Sequence, residues 1–228
     1  MIHGLHGAVG SGHDWDLFTD SLSTEISAIN LWNLLEKKPL TLPQAGQAIA
    51  RQAKQNDILI GYSMGGRLAL HALLDHPQKW RAAIIVSAHP GLIEGQAERL
   101  IRDEQWATLA EQNWSQFMAE WNQQTLLAAS CRGLRQASFR NQSAVAASFR
   151  HWSLGAQDNL ATRLPEITCP LLWITGAGDG KFTNLAKEAT ALMPNSHHEI
   201  IASAGHRVPW EQPAAFSTAV RDFLAANS

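Results

Sequence analysis

The strongest constraint on the fold is a sharp reversal between two stretches of different periodicity. The continuous apolar run Ile58 to Tyr62 passes through Gly61-Tyr62-Ser63-Met64-Gly65-Gly66 into a helical pattern, Met64 to His76, which stops before Pro77. A strand that becomes a helix this abruptly needs glycine two positions either side of the serine, because a Cβ at Gly61 or Gly65 would collide with neighbouring backbone. The turn lifts the Ser63 hydroxyl above the end of a strand. There it sits at a helix N-terminus, where backbone N–H groups and the helix dipole favour developing negative charge.

The rest of the chain repeats the same alternation. Apolar runs at Ile2 to Leu5, Ile26 to Leu31, Ala82 to Ser87 and Leu171 to Thr175, with a weaker one at Glu199 to Ala202, predict further strands. They are continuous rather than alternating, as strands covered on both faces are. Helical spacing at Leu42 to Ala53, Asn184 to Met193 and Ala214 to Ala226 separates them. Strand and helix in alternation predict a doubly wound, mostly parallel α/β sheet. The stretch 93–164 breaks the pattern: it is rich in Gln, Ala, Arg and Trp and contains no convincing strand. We read it as an all-helical cap inserted into a core formed by 1–92 and 165–228, lying over the edge where open α/β folds bind ligands.

Composition narrows the function classes. With 45% hydrophobic and 17% charged residues in 228, the chain can bury a substantial core. A net charge of −2 with dispersed Lys and Arg excludes the usual nucleic-acid footprint. Cys131 and Cys169 have no metal-like spacing. The N-terminal residues do not form a signal peptide, and no apolar run approaches the roughly 20 residues of a membrane span. The expectation is a cytoplasmic protein acting on a small molecule, with no metal, no organic cofactor and no membrane insertion; the oligomeric state is left open. Of the nine Trp, four (Trp106, Trp114, Trp121 and Trp152) fall in the cap stretch, where core packing is the default use.

A serine at its free pKa needs a base and an orienting acid. His206, in Ala204-Gly205-His206 just past the last strand, stands where an imidazole would project back to Ser63. Asp179, directly after the strand Leu171 to Thr175, is the candidate acid, and Asp158 is the alternative. Leu5-His6-Gly7-Ala8 ends the first strand, so the N–H of Ala8 would join that of Met64 as an oxyanion hole.

With these residues the chain resembles the α/β-hydrolase superfamily along nearly its whole length. Within it, the chain is most similar to the lyase family of menaquinone and phylloquinone biosynthesis, the succinyl-hydroxycyclohexadiene carboxylate synthases. The resemblance rests on Gly61 to Gly66 with the trailing Arg67, on Ser87-Ala88-His89-Pro90-Gly91-Leu92 followed by Arg99, Asp103 and Trp106, and on Glu120 to Gln124. It also rests on Phe139-Arg140-Asn141, Ser153 to Gln157 and Gly178-Asp179-Gly180-Lys181-Phe182. It implies that Ser63, made basic by the histidine, removes a substrate proton and that pyruvate is expelled. It also implies that Arg67, Arg99 and Arg140 bind the substrate carboxylates, with Tyr62 and the wall residue Trp121 beside them.

The chain departs from that family in lacking a hairpin of strands before the His-Gly strand. Leu31 to Lys38 also replaces an Asp-Leu-Pro-Gly-His-Gly type segment that borders the family's active site, and Asn122 stands where Tyr is common. A carboxylesterase or thioesterase working through an acyl-Ser63 intermediate is the main rival reading, and a non-catalytic binding relative is a third.

Overall fold

The computed structural model describes residues 1–22, 24–36, 38–128 and 141–227. Its strands are β1 (Ile2–Leu5), β2 (Ile26–Ile29), β3 (Asp57–Tyr62), β4 (Trp80–Val86), β5 (Leu171–Gly176) and β6 (Ser196–Ile201). They form one sheet in the order β2-β1-β3-β4-β5-β6, with every neighbouring pair parallel. The chain runs from β1 outward to β2, then crosses back to β3 and continues to β6. The direction of winding therefore reverses between β1 and β3, and a crevice opens at the carboxyl ends of strands at such a reversal.

Helices cover both faces. After α1 (Thr19–Leu22) come α2 (Leu42–Gln52) and α3 (Met64–Asp75). Between β4 and β5 lie α4 (Gln96–Gln112), α5 (Trp114–Gln123), α6 (Thr125–Ala128) and α7 (Gln142–His151). The chain closes with α8 (Gly180–Ala191), α9 (Val208–Glu211) and α10 (Pro213–Ala226). No strand interrupts the described residues between β4 and β5.

The continuous apolar runs follow from this sandwiching. In β3, Leu59 joins one buried cluster with Leu68 and Ile49, while Ile58 and Ile60 join the other with Trp15 and Phe216. In β5, Trp173 faces the first cluster and Ile174 the second. Successive side chains point to opposite faces, and both faces are dry.

Where boundaries differ from the sequence reading, local chemistry explains it. β2 stops at Ile29 because the Asn30 side chain accepts the Trp32 N–H at 3.2 Å and starts a 3-10 turn. Helix α8 begins four residues before the expected Asn184, since Asp179 caps it by accepting the Phe182 N–H at 3.4 Å. β6 begins at Ser196 rather than Glu199; as an edge strand it is only half covered, so its sequence carries no clean apolar run.

Candidate active site

Ser63 occupies the turn between β3 and α3 with φ 52° and ψ −110°, a left-handed conformation rarely adopted by a residue with a Cβ. The surrounding glycines over-determine it. A Cβ at Gly61 would sit 2.6 Å from the Gly65 carbonyl oxygen, and one at Gly65 would run into the carbonyls of Leu5 and His6. The close approach of β1 to the start of α3 therefore requires Gly65.

The Ser63 hydroxyl lies 3.1 Å from His206 Nε2, and His206 Nδ1 lies 2.7 Å from Asp179 Oδ2. An ionised carboxylate only accepts, so Nδ1 carries the proton and Nε2 is left to accept from the serine. His206 and Asp179 are 3% and 5% exposed. Phe182 packs on the imidazole at 4.5 Å between ring centroids and Tyr62 at 5.6 Å, fixing its plane. Glu211 holds the loop from beneath by accepting the backbone N–H groups of Gly205 and Arg207. Asp158, the alternative acid, is exposed.

Ala8 and Met64 both line the cavity beside Ser63. The turn carrying Ala8 is set by His6, which accepts the Leu31 N–H at Nε2 (3.1 Å) and donates from Nδ1 to the Gly7 carbonyl (2.9 Å). Trp32 stacks obliquely on that imidazole at 4.7 Å and donates to the Gly10 carbonyl at 2.9 Å. Leu31 and Trp32 of the unusual segment thus brace the His6 turn, and no described residue of 31–38 lines the cavity.

The cavity encloses about 350 Å³. One wall is aromatic: Trp106 and Trp121 meet edge to face at 5.4 Å, and Phe149 packs against Trp121 at 5.3 Å. Trp106, Trp121 and Trp152 line the cavity and also pack in or against the buried core.

Among the described lining residues, five are basic (Arg67, Arg99, Arg102, Lys181 and Arg207) and one, Asp103, is acidic. Asp103 is already satisfied by Arg99 Nε at 2.8 Å and by the Ser153 hydroxyl at 2.7 Å. Arg67, 8% exposed, donates to Gln157 Oε1 at 3.0 Å and to the Trp152 carbonyl at 2.5 Å. Burial and then Arg99 lower its pKa to about 9, so it remains cationic at neutral pH. Basic side chains outnumber acidic ones on the described cavity wall, which is its main electrostatic feature.

The structure brings Ser63, His206, Asp179, Ala8, Met64, Tyr62, Arg67, Arg99 and Trp121 to one place. Arg140 lies outside the described residues. The sequence reading did not single out Arg102, Lys181 or Arg207 for the site. Each had a signal: Arg102 is one helical turn from Arg99, Lys181 is two residues from Asp179, and Arg207 follows His206. Among the described residues no group of three or more His, Cys, Asp or Glu is placed to hold a metal ion. No described helix is long and apolar enough to cross a membrane.

Residues 4–219 match the alpha/beta hydrolase family. The chain belongs to the α/β-hydrolase family. It is an enzyme of that fold, and it has curated relatives along nearly its full length. It is 35% identical to a 2-succinyl-6-hydroxy-2,4-cyclohexadiene-1-carboxylate synthase of Serratia proteamaculans, over 96% of this chain and 91% of that one. To a putative synthase of the same name from Bacillus subtilis it is 30% identical, over 97% and 89%. Among solved structures it superposes on MenH from S. aureus with a TM-score of 0.85 at 23% identity, covering 99% of this chain and 93% of the other. A thermophilic esterase from Thermogutta terrifontis superposes with a TM-score of 0.77 at 18% identity, covering 99% and 89%. These two likenesses concern the fold.

Proposed function

We propose that this α/β-hydrolase is the lyase that eliminates pyruvate from a succinyl-enolpyruvyl-hydroxycyclohexene dicarboxylate in menaquinone or phylloquinone biosynthesis. The observation that carries the proposal is the cavity's charge: Arg67, Arg102 and Lys181 line it beside the Arg99–Asp103 pair. A small neutral ester gains little from such a wall, whereas a substrate with several carboxylates gains a paired, charge-assisted hydrogen bond from each arginine that it meets. Arg67 and Arg99 are the described candidates for that role, with Arg140 implied by the family resemblance.

In this reading Asp179 orients His206, and His206 takes the Ser63 proton as the serine oxygen removes a proton from substrate carbon. The C–H electron pair moves toward a carbonyl oxygen whose growing charge is met by the N–H groups of Ala8 and Met64. It then forms the new double bond as the C–O bond to the enolpyruvyl group breaks, and the departing enolate recovers the proton as pyruvate. In this reading the stretch 93–164 acts as the cap over the site.

A second reading, a carboxylesterase or thioesterase forming acyl-Ser63, is favoured by the aromatic wall of Trp106, Trp121 and Phe149, which suits an apolar acyl chain. The proposed residue roles are tested by Ser63→Ala, His206→Ala and Asp179→Asn. Each lowers pyruvate release by several orders of magnitude with folding intact, since such groups act as a unit. Near-native turnover by Asp179→Asn would remove Asp179 from the mechanism.

A further inference from the structure

The loop after β4 brings to the cavity wall two polar groups that the reaction above leaves unused. Ser87, at φ +46°, is anchored by its own N–H, which donates to the Ile174 carbonyl at 3.0 Å. Its hydroxyl is fully buried and has no partner. Of the buried side-chain polar atoms without a partner among the described residues, it is the one whose residue lines the cavity. A buried hydroxyl left unpaired is rare in a native protein and calls for an explanation.

Two residues on, His89 lines the same cavity and is 6% exposed. Its Nδ1 accepts the Gly91 N–H at 3.1 Å, which puts the ring proton on Nε2, and Nε2 makes no hydrogen bond to a described residue. The ring is held edge-on to Phe182 at 6.3 Å, and Phe182 in turn packs on His206. Gln157 fixes the backbone here, donating to the His89 carbonyl at 3.3 Å while accepting from Arg67. Burial, with Lys181, Arg67 and Arg99 close by, lowers the imidazole pKa to about 4, so the ring is uncharged at neutral pH.

We propose that Ser87 Oγ and His89 Nε2 form a neutral donor subsite that recognises an uncharged substrate oxygen, a ketone or hydroxyl, next to the carboxylates held by the arginines. The inference rests on the anionic-substrate reading of the cavity. A fourth positive charge among these cations would be costly, whereas an N–H and an O–H supply direction without charge. The pair therefore selects among polyanions by the oxygen they carry between their acid groups.

Two substitutions separate the two edges of the His89 ring. His89→Asn keeps an acceptor for the Gly91 N–H and loses the cavity-facing donor; His89→Gln does the reverse. Both are read by KM for pyruvate release, and by the 2-oxoglutarate concentration that half-protects Ser63 from a fluorophosphonate. The subsite predicts that His89→Asn raises both values roughly 3- to 10-fold, with kcat falling less, and that His89→Gln restores most of the loss. Ser87→Ala raises both values similarly and leaves thermal stability unchanged, because it removes a hydroxyl that bonds to no described residue.

Wild-type values in His89→Asn, or losses confined to His89→Gln, would overturn the inference and make His89 a loop brace. Protection that follows the predicted pattern in a protein releasing no pyruvate would overturn the lyase reading and leave the subsite standing. Failure of 2-oxoglutarate to protect the wild type would overturn the anionic cavity and the subsite with it.

Discussion

Asp103 and Ser153, far apart in sequence, meet at the cavity through a 2.7 Å hydrogen bond from the serine hydroxyl to Asp103 Oδ2. The other carboxylate oxygen accepts from Arg99 Nε at 2.8 Å. This buried acid thus holds Arg99 by its Nε edge, and neither terminal guanidinium nitrogen has a partner among the described residues. An arginine held this way presents a fork to a carboxylate with its rotamer already set.

Asp103→Asn should therefore act through Arg99. The expected result is a KM for the anionic substrate raised about 3- to 10-fold, with a stability loss of about 1–3 kcal/mol from the weakened buried pair. Steady-state kinetics and thermal melts of the purified variant check both; an unchanged KM would mean that Arg99 does not meet the substrate.

Arg67 holds structure and, in the proposed reading, also meets substrate. Arg67→Ala leaves the Trp152 carbonyl and Gln157 Oε1 without their donor, so it should cost about 2–3 kcal/mol of stability in addition to activity on an anion. Ester hydrolysis by the same variant, measured below its melting temperature, should fall much less than pyruvate release. Equal losses on both substrates would make Arg67 a structural residue alone.

Gly65→Ala tests the turn. Its Cβ would meet two backbone carbonyls of the β1 end, neither of which can yield without moving the strand. A destabilisation of about 3 kcal/mol or more is expected, seen as a melting temperature lower by roughly 6–12 °C for a chain of this size. A melting temperature within a degree of wild type would show that β1 and α3 do not approach this closely.

Stability should also depend on pH through His71. Burial first, and then Arg67, lower its pKa from 6.5 to about 4 in the folded chain. Between those values the unfolded chain binds a proton that the fold refuses, so stability falls as pH drops from 6.5 toward 4 and levels off below. The full effect is on the order of 3 kcal/mol. His71→Gln, which cannot titrate, should flatten the decline in urea midpoint over this range; an unchanged slope would place the proton uptake elsewhere.

What the sequence made legible was what depends on local pattern. β3 and β5 were readable because both faces are buried and, after Asp57, every position is apolar or small. Ser63 was readable because the elbow needs glycine on each side, and Asp179 and His206 because each lies just past a strand end. β6 was read only in part, since an edge strand carries exposed His and Glu side chains. The pairing of Asp103 with Ser153 and that of Arg67 with Gln157 were not readable, because each joins elements whose relative placement is a property of the packed fold. The same holds for Trp32: its sequence departs from the family at a segment expected to border the site, yet it is spent on bracing His6.

If the cationic cavity serves elimination from a polycarboxylate, the wild-type enzyme should favour that substrate over a neutral ester. The most direct test is the wild-type enzyme's kcat/KM for pyruvate release from the succinyl-enolpyruvyl-hydroxycyclohexene dicarboxylate, with a short-chain nitrophenyl ester run beside it. Fast pyruvate release and poor ester cleavage are expected. Efficient ester cleavage without pyruvate release would contradict the elimination reading and assign Ser63 to acyl transfer.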